Sequence, residues 1–396
     1  MLNRNLLILT CCQAISVSGA VLVVTLGGIV GSQLAPTPAL ATLPLSLMVA
    51  GTALTTVPAA MTMQRLGRRL GFAMAALLGA VATVVAAIAL ERASFVMFCI
   101  ATMLIGGMLA FSQQYRFAAA ESVPTRLVAR AVALVLFGAI GGAFLGPALV
   151  TGGIPGISDT PYVGAVLGLG LCYVVAAVLL LGLREPETSE SVLADEQPRP
   201  IITVVRQPLF IVAVMGGVVG YGIMTFIMTA APLSMHVHDG FSIEATAGVI
   251  RSHVIAMYAP SLVSAYLIER FGVRRMMALG VVVFVGTMTF ALGGREILHY
   301  TWAMVLLGVG WSFLYIGGTT LLVTTYRAAE RFKAQAVNDF SVFGSSALGS
   351  LSAGAVLHYF GWTQVIVMSM PLLLIMMAAL YLARSAPAIG YTPERN

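Results

Sequence analysis

Long apolar segments, separated by short polar or charged ones, extend along almost the whole chain of 396 residues. A transmembrane helix needs roughly 20 apolar residues to cross a hydrocarbon core about 30 Å thick. The pattern therefore predicts an all-α membrane protein with twelve transmembrane helices. The predicted spans are 5–31, 38–62, 69–90, 95–119, 128–152, 161–183, 207–235, 243–268, 274–293, 299–325, 334–358 and 363–384.

The most polar stretch of the chain lies in its middle, at 184–200, and reads REPETSESVLADEQPRP. Its charged residues and prolines are typical of a solvated linker. The predicted organisation is a six-helix half over 1–183, a cytoplasmic linker over 184–206 and a second six-helix half over 207–396.

Composition excludes a soluble enzyme, because only 9% of the residues are charged and 59% are hydrophobic. A soluble domain carries about 25% charged residues. The sequence shows no catalytic triad, nucleotide-binding loop or pair of acidic metal ligands. We therefore expect a transport protein in the lipid bilayer that is not an enzyme and needs no cofactor.

The net charge of +6 is explained by the position of the basic residues. When the N-terminus is placed inside, only Arg92, Arg251 and Arg295 fall in outer segments, and every other Lys and Arg lies in a cytoplasmic loop or terminus. This distribution follows the positive-inside rule. It predicts that both termini are cytoplasmic, and it removes the reason to invoke a nucleic-acid partner.

An internal repeat relates the two halves. Gln64–Arg69 follows the second span, and the similar Glu269–Arg275 follows the eighth. The fourth span ends in Tyr115–Arg116 and the tenth in Tyr326–Arg327. Two similar six-span halves predict a transporter in which pseudo-symmetric halves rock about a central site.

The loop after the second span carries a family resemblance. Residues 60–69 read AMTMQRLGRR and resemble the G-x-x-x-D-R-x-G-R-R signature of the major facilitator superfamily, with Gln64 in place of the acidic residue. The resemblance implies the twelve-helix major facilitator fold. The missing carboxylate puts the usual charge lock between helices in doubt.

Two motifs suggest a soft-metal site. Met224 and Met228 in the seventh span, and His253 and Met257 in the eighth, are each spaced i, i+4 and so share a helix face. Counted from the outer ends of their spans, the four residues lie at similar depths. Thioether and imidazole ligands suit Cu(I). The alternative is that these methionines are flexible core packing.

The same four residues resemble those of the CcoA-like copper importers, a group of the major facilitator superfamily. The resemblance implies a metal site at Met224, Met228, His253 and Met257. It also implies import of copper, as Cu(I), across the bacterial inner membrane by alternating access. Copper would be the transported substrate of a monomer that delivers it to a cytoplasmic copper acceptor.

Two further groups of residues are candidates for transport roles. Met235, His236 and His238 lie at the outer end of the seventh span, where they either capture metal or form an ordinary polar helix end. Charged side chains near the inner face either form a cytoplasmic gate, pairing across the two halves, or bind the proton that drives transport. These charged residues are Arg116, Glu121 and Asp339.

Two other functions remain open. The first is import of a small aromatic, flavin-like solute, for which aromatic and amide side chains would supply stacking and hydrogen bonds. The second is drug efflux by proton antiport. The residues that suit the aromatic solute are Gln113, Gln114, Tyr221, Tyr258, Trp311 and Tyr315.

Overall fold

A computed structural model describes residues 3–37, 40, 43–184 and 198–384 of the chain. In this part of the chain the regular elements are all helical, which confirms the predicted fold class. The helices are α1 (Arg4–Leu34), α2 (Leu43–Glu91), α3 (Phe95–Ser112), α4 (Tyr115–Glu121), α5 (Val128–Gly152), α6 (Val163–Leu180), α7 (Ile201–Val205), α8 (Pro208–Leu233), α9 (Ile243–Tyr258), α10 (Ser261–Phe271), α11 (Val273–Gly293), α12 (Ile297–Val323) and α13 (Arg331–Leu382).

Ten helical segments among the described residues are long and apolar enough to cross a membrane. One of them, α2, has 49 residues and kinks at Gly67, where φ is 77°. At ~1.5 Å per residue it is roughly 74 Å long, more than twice the thickness of a hydrocarbon core. Helix α2 therefore accounts for the second and third predicted spans.

The predicted eighth span is divided between two short helices. Helix α9 ends at Tyr258 and α10 begins at Ser261, with Pro260 in the cap position of α10. Proline lacks a backbone N–H and cannot donate to a carbonyl oxygen of the preceding turn, which interrupts the helix here. The 16 residues of α9 and the 11 of α10 are each too short to span alone.

The chain divides into two compact units, residues 1–124 with 134–186, and residues 125–133 with 187–396. Most of the predicted linker, residues 185–197, lies outside the described residues. The described C-terminal part of the predicted linker, residues 198–206, forms hydrogen bonds with other residues of the second unit. The Arg199 guanidinium donates two hydrogen bonds to the Glu330 carboxylate at 2.8 and 2.7 Å, and the Gln207 side chain donates to the Thr325 carbonyl oxygen at 2.9 Å.

Glycines set the helix packing around α12 in the second unit. A Cβ atom on Gly308 would lie 2.8 Å from the His253 carbonyl oxygen and 2.8 Å from the Met257 nitrogen. One on Gly318 would lie 2.7 Å from the Ala213 carbonyl oxygen. Such small residues allow helix backbones to approach closely. Helices α8 and α9 can therefore both press against α12, which positions the aromatic side chains described next.

Candidate functional site

The second unit contains a cluster of five aromatic rings. At its centre, Tyr221 of α8 makes edge contacts with Trp311, Tyr315 and Phe343 at centroid distances of 5.3, 5.0 and 5.2 Å. Trp311 and Tyr315 stack at 4.9 Å with an angle of 22° between their planes. Tyr258 meets the Trp311 ring edge-on at 5.7 Å. These are the distances at which aromatic rings attract one another.

The local sequence explains why the rings meet. Trp311 and Tyr315 are spaced i, i+4 on α12, so their side chains stack along one helix face. Gly220, next to Tyr221, faces α12, and a Cβ there would lie at an ordinary contact distance of 3.8 Å from the Trp311 ring. Tyr258 reaches the cluster because it is the last residue of α9.

The cluster has a buried side and an accessible side. Trp311 is only 1% exposed, and Tyr315 and Phe343 are also buried. Tyr221 and Tyr258 are partly exposed. The indole Nε1 of Trp311 is buried and has no hydrogen-bond partner. This arrangement can accept a flat aromatic ring against the tyrosines and offers one buried donor.

Histidine 253 lies deep in the second unit, fully buried. Its Nδ1 donates to the Met304 carbonyl oxygen at 2.7 Å, across the contact between α9 and α12. Its Nε2 has no hydrogen-bond partner. Because Nδ1 holds the proton of the neutral ring, Nε2 is the atom that remains an acceptor.

The methionines predicted to accompany His253 lie in or near the core. Met224 and Met257 are buried and Met228 is partly exposed. The Met257 backbone lies against Gly308 at the helix contact. In the described part of the chain, no group of three or more His, Cys, Asp or Glu side chains is placed to hold a metal ion. Unbranched thioether side chains are well suited to filling such irregular gaps.

The predicted capture site at the outer end of the seventh span forms a single π-helical turn, Ser234–His238. Met235 is fully buried, so it does not face water as a capture ligand must. Its carbonyl oxygen accepts a hydrogen bond from the Phe241 nitrogen at 3.0 Å. His236 and His238 are exposed, and Nδ1 of His236 bonds to the Phe241 carbonyl oxygen at 2.8 Å. Met235 and His236 thus take part in the hydrogen bonds that close this turn.

Sequence reasoning missed a polar network beside this turn. The Tyr300 hydroxyl donates to Asp239 at 2.7 Å and contacts the Ser234 hydroxyl at 2.7 Å. Arg295 pairs with the same carboxylate at 3.2 Å. The network joins the ends of α8 and α12. Arg295 was expected in an outer loop, but nothing in the spacing of these residues shows that they meet.

Glu121 is held inside the first unit by Arg68. The two side chains form two hydrogen bonds of 2.8 and 2.6 Å, and both are largely buried. Gln114 lies beside the same guanidinium at 3.4 Å. Within the first unit Glu121 thus has Arg68 as an ionic partner, and its pairing across the two halves stays a prediction. Glu121 supplies the carboxylate that Gln64 does not provide.

The other two predicted gate residues are buried. Arg116 lies over the ring of Phe117 at 4.5 Å. Asp339 of α13 is fully buried and accepts a hydrogen bond from the Asn338 side chain at 2.9 Å. Of the residues suited to an aromatic solute, the tyrosines and Trp311 come together in the second unit. Gln113 and Gln114 belong to the first.

Two relatives by sequence cover nearly the whole chain. Riboflavin transporter RfnT of Brucella anthropi is 40% identical over 96% of this chain and 96% of its own. The uncharacterized MFS-type transporter YdeG of Bacillus subtilis is 29% identical over 89% of this chain and 86% of its own.

The first of these relatives overturns the prediction of copper import. A protein 40% identical over nearly its full length is a riboflavin transporter, so the finding supports the flavin-like alternative. The resemblance to the CcoA-like importers rested on four residues alone. Methionine is common in this chain, with 21 residues, so paired methionine motifs are also expected from flexible core packing alone.

Solved structures and a family model agree on the fold. The human organic anion transporter MFSD10 (TETRAN) matches 95% of this chain and 99% of its own, with a TM-score of 0.75 and 14% identity. A bacterial homologue of the iron transporter ferroportin matches 97% and 100%, with a TM-score of 0.72 and 13% identity. The model of the Major Facilitator Superfamily matches residues 6–259 and 249–396. The chain belongs to the major facilitator superfamily and is a multi-pass membrane transporter.

Proposed function

We propose that this protein imports riboflavin, or a flavin with the same ring system, by alternating access. The aromatic cluster of Tyr221, Tyr258, Trp311 and Tyr315 is the observation that carries the proposal. Its rings present both edges and faces, with partly exposed tyrosines over a buried tryptophan. The likeness to a riboflavin transporter supports the same substrate.

The chemistry of a flavin suits this cluster. Its tricyclic ring is flat and conjugated, and each aromatic contact with it contributes about 0.5–1.5 kcal/mol beyond the area it buries. The ring also carries carbonyl oxygens, which need donors when they leave water. The unpartnered indole N–H of Trp311 is such a donor. Sites for small molecules commonly combine an apolar lining with a few polar groups of this kind.

We further propose that the protein lies in the bacterial cytoplasmic membrane with both termini inside. The support is the distribution of its Lys and Arg residues, which places nearly all of them on one side. In this orientation the proposed import carries the flavin from the outside to the cytoplasm.

The charged residues take different parts in this proposal. Asp339 is fully buried in α13 and accepts a hydrogen bond from the Asn338 side chain, so it is the candidate for proton coupling. Ionising a carboxylate in low-dielectric surroundings costs free energy, and acidic residues inside membrane proteins commonly serve as proton relays. Glu121 already pairs with Arg68 and is the candidate for a structural lock.

The test is uptake of radiolabelled riboflavin by a bacterial strain that can neither make nor import it. The wild type should raise cellular riboflavin well above the empty-vector strain. Trp311→Leu should lower the uptake at least tenfold. Trp302→Leu is the matched control, because Trp302 lies on the same helix but is 47% exposed. A wild type that accumulates no riboflavin contradicts the proposal, and so does a Trp311 variant that transports normally at equal membrane level.

A further inference from the structure

Two pairs of hydroxyl side chains join α8 to α13 in the second unit. The Thr225 and Ser346 hydroxyl oxygens lie 2.8 Å apart, and those of Thr229 and Ser350 lie 3.3 Å apart. Both pairs have the same sequence separation, 121 residues. They therefore form two successive rungs between the same helices, about 6 Å apart along α8 at ~1.5 Å per residue.

These hydroxyls differ from most others in the bundle. Thr289, Thr301 and Ser352 each donate to the carbonyl oxygen four residues earlier on their own helix, at 3.0, 2.7 and 2.7 Å. That bond is the usual way for a hydroxyl in a helix to satisfy its proton. The recorded bonds of the rung residues, in the part of the chain described, run across to the partner helix instead.

Each rung has hydrogen-bonding capacity to spare. A hydroxyl offers one donor and two acceptor positions, and a pair that shares one bond uses one donor and one acceptor. One proton and several lone pairs therefore remain in each rung. Thr225 and Thr229 are partly exposed, whereas Ser346 and Ser350 are buried. The rungs are thus accessible from the α8 side.

The rungs continue the aromatic cluster along the same two helices. Tyr221, Thr225 and Thr229 are spaced i, i+4, i+8 and share one face of α8. On α13, Phe343 packs against Tyr221 at 5.2 Å and is followed by Ser346 and Ser350. The two helices therefore present a strip that is aromatic at one end and hydroxylic at the other.

We propose that the hydroxylic end of this strip, formed by Thr225, Thr229, Ser346 and Ser350, is a subsite for the polyhydroxylated side chain of the flavin. This inference rests on the proposed function, since it assumes that the aromatic cluster holds the ring. A sugar-alcohol chain carries hydroxyls on successive carbons, each of which donates and accepts. The rungs supply matching groups at one-turn intervals, next to the place where the ring would lie.

Helix association alone explains the strip less well. Hydroxyl pairs between membrane helices do stabilise packing. That role is already filled at this contact by glycines, since a Cβ on Gly349 would lie 3.1 Å from the Gly222 carbonyl oxygen. Packing also gives no reason for the two threonines to stay partly exposed.

The test compares riboflavin with lumiflavin, which has the same ring but a methyl group in place of the polyhydroxylated chain. Both unlabelled compounds compete with radiolabelled riboflavin for uptake by cells carrying wild type, Thr225→Val with Ser346→Ala, or Thr289→Val as the control. In the double variant, riboflavin should inhibit five- to tenfold more weakly, as expected for lost hydrogen bonds. Lumiflavin should inhibit as it does in the wild type.

Equal weakening of both compounds overturns the subsite, because it indicates a general defect of packing. Unchanged inhibition by riboflavin in the double variant overturns it too. If lumiflavin does not inhibit uptake by the wild type, the KM for riboflavin is the deciding measurement. A KM of the double variant within twofold of that of the Thr289→Val control contradicts the subsite. Thr229→Val is a gentler second variant if the double variant reaches the membrane poorly. Failure of the proposed function is distinct, since the wild type would then take up no riboflavin.

Discussion

The two units repeat one sequence pattern but carry different chemistry. Residues 105–116 read IGGMLAFSQQYR and residues 316–327 read IGGTTLLVTTYR, an offset of 211. With this register, Trp311 and Tyr315 of the second unit correspond to Ile100 and Leu104 of the first. The aromatic cluster is therefore absent from the equivalent positions of the first unit. The repeated sequence pattern therefore carries aromatic side chains at these two positions in the second unit and aliphatic ones in the first.

The loops after the second and eighth spans show the reverse pattern. Gly67 and Gly272 adopt the same left-handed conformation, with φ of 77° and 85°, which an L side chain rarely adopts. The residue after the glycine is Arg68 in the first unit but Val273 in the second. The buried pair with Glu121 thus belongs to the first unit, whereas Glu330 of the second takes Arg199 from the end of the linker. The two units therefore share the backbone conformation of this glycine but differ in the ion pairs formed by Glu121 and Glu330.

The largest effect should come from breaking the buried pair of the first unit. Arg68→Gln leaves the Glu121 carboxylate without its partner, which typically costs about 3–5 kcal/mol for a buried charge. We expect the variant to lose most of its thermal stability in detergent, measured as the temperature at which it aggregates. Arg130→Gln removes an exposed pair with Glu269 and is the control, with an expected cost below about 1 kcal/mol. Equal shifts for the two variants would show that burial of the first pair contributes nothing.

A smaller effect is expected where α9 and α12 touch. A Cβ atom at Gly308 would meet backbone atoms of His253 and Met257 at 2.8 Å, and backbone cannot move aside as a side chain can. Gly308→Ala should therefore cost about 1–3 kcal/mol, as overpacking does, and should lower uptake by displacing Tyr258. Gly344→Ala is the control, since nothing lies within 4 Å of its Cβ position. If both alanine variants unfold at the same temperature as the wild type, then helices α9 and α12 do not pack as closely at Gly308 as described.

Replacing an aromatic residue by its counterpart in the other unit should affect transport more than folding. Tyr315→Leu places in the second unit the residue type that Leu104 supplies in the first. Losing a stacked ring at about 0.5–1.5 kcal/mol per contact should lower riboflavin uptake roughly tenfold. Tyr315→Phe, which keeps the ring, should retain most of the uptake. Uptake that falls equally in both variants would assign the effect to the hydroxyl group instead of the ring.

The sequence predicts the fold well because membrane helices are selected by length and apolar character, which are local properties. The ion pair between Arg68 and Glu121 could not be predicted from the sequence, because the two residues are 53 positions apart and their contact depends on how the helices pack. The aromatic residues were correctly grouped as an alternative, yet nothing in their spacing showed that Tyr221 lies against Trp311 and Phe343. Met224 and Met228, like His253 and Met257, share a helix face through their i, i+4 spacing, but this local property does not identify the substrate that the helices carry.

The smallest effect should come from the methionine that copper import would have made essential. Met228 is partly exposed and follows Met224 on α8, one position away from the face that carries Thr225 and Thr229. Met228→Leu preserves apolar volume, and swaps of this kind usually cost less than about 1.5 kcal/mol. Riboflavin uptake should therefore stay within twofold of the wild type. Cellular copper, measured by mass spectrometry, should be the same in cells that carry the variant and in cells that carry the wild type. A fall in cellular copper in the variant would restore the metal interpretation, whereas a selective loss of riboflavin uptake would extend the substrate strip to the neighbouring face of α8.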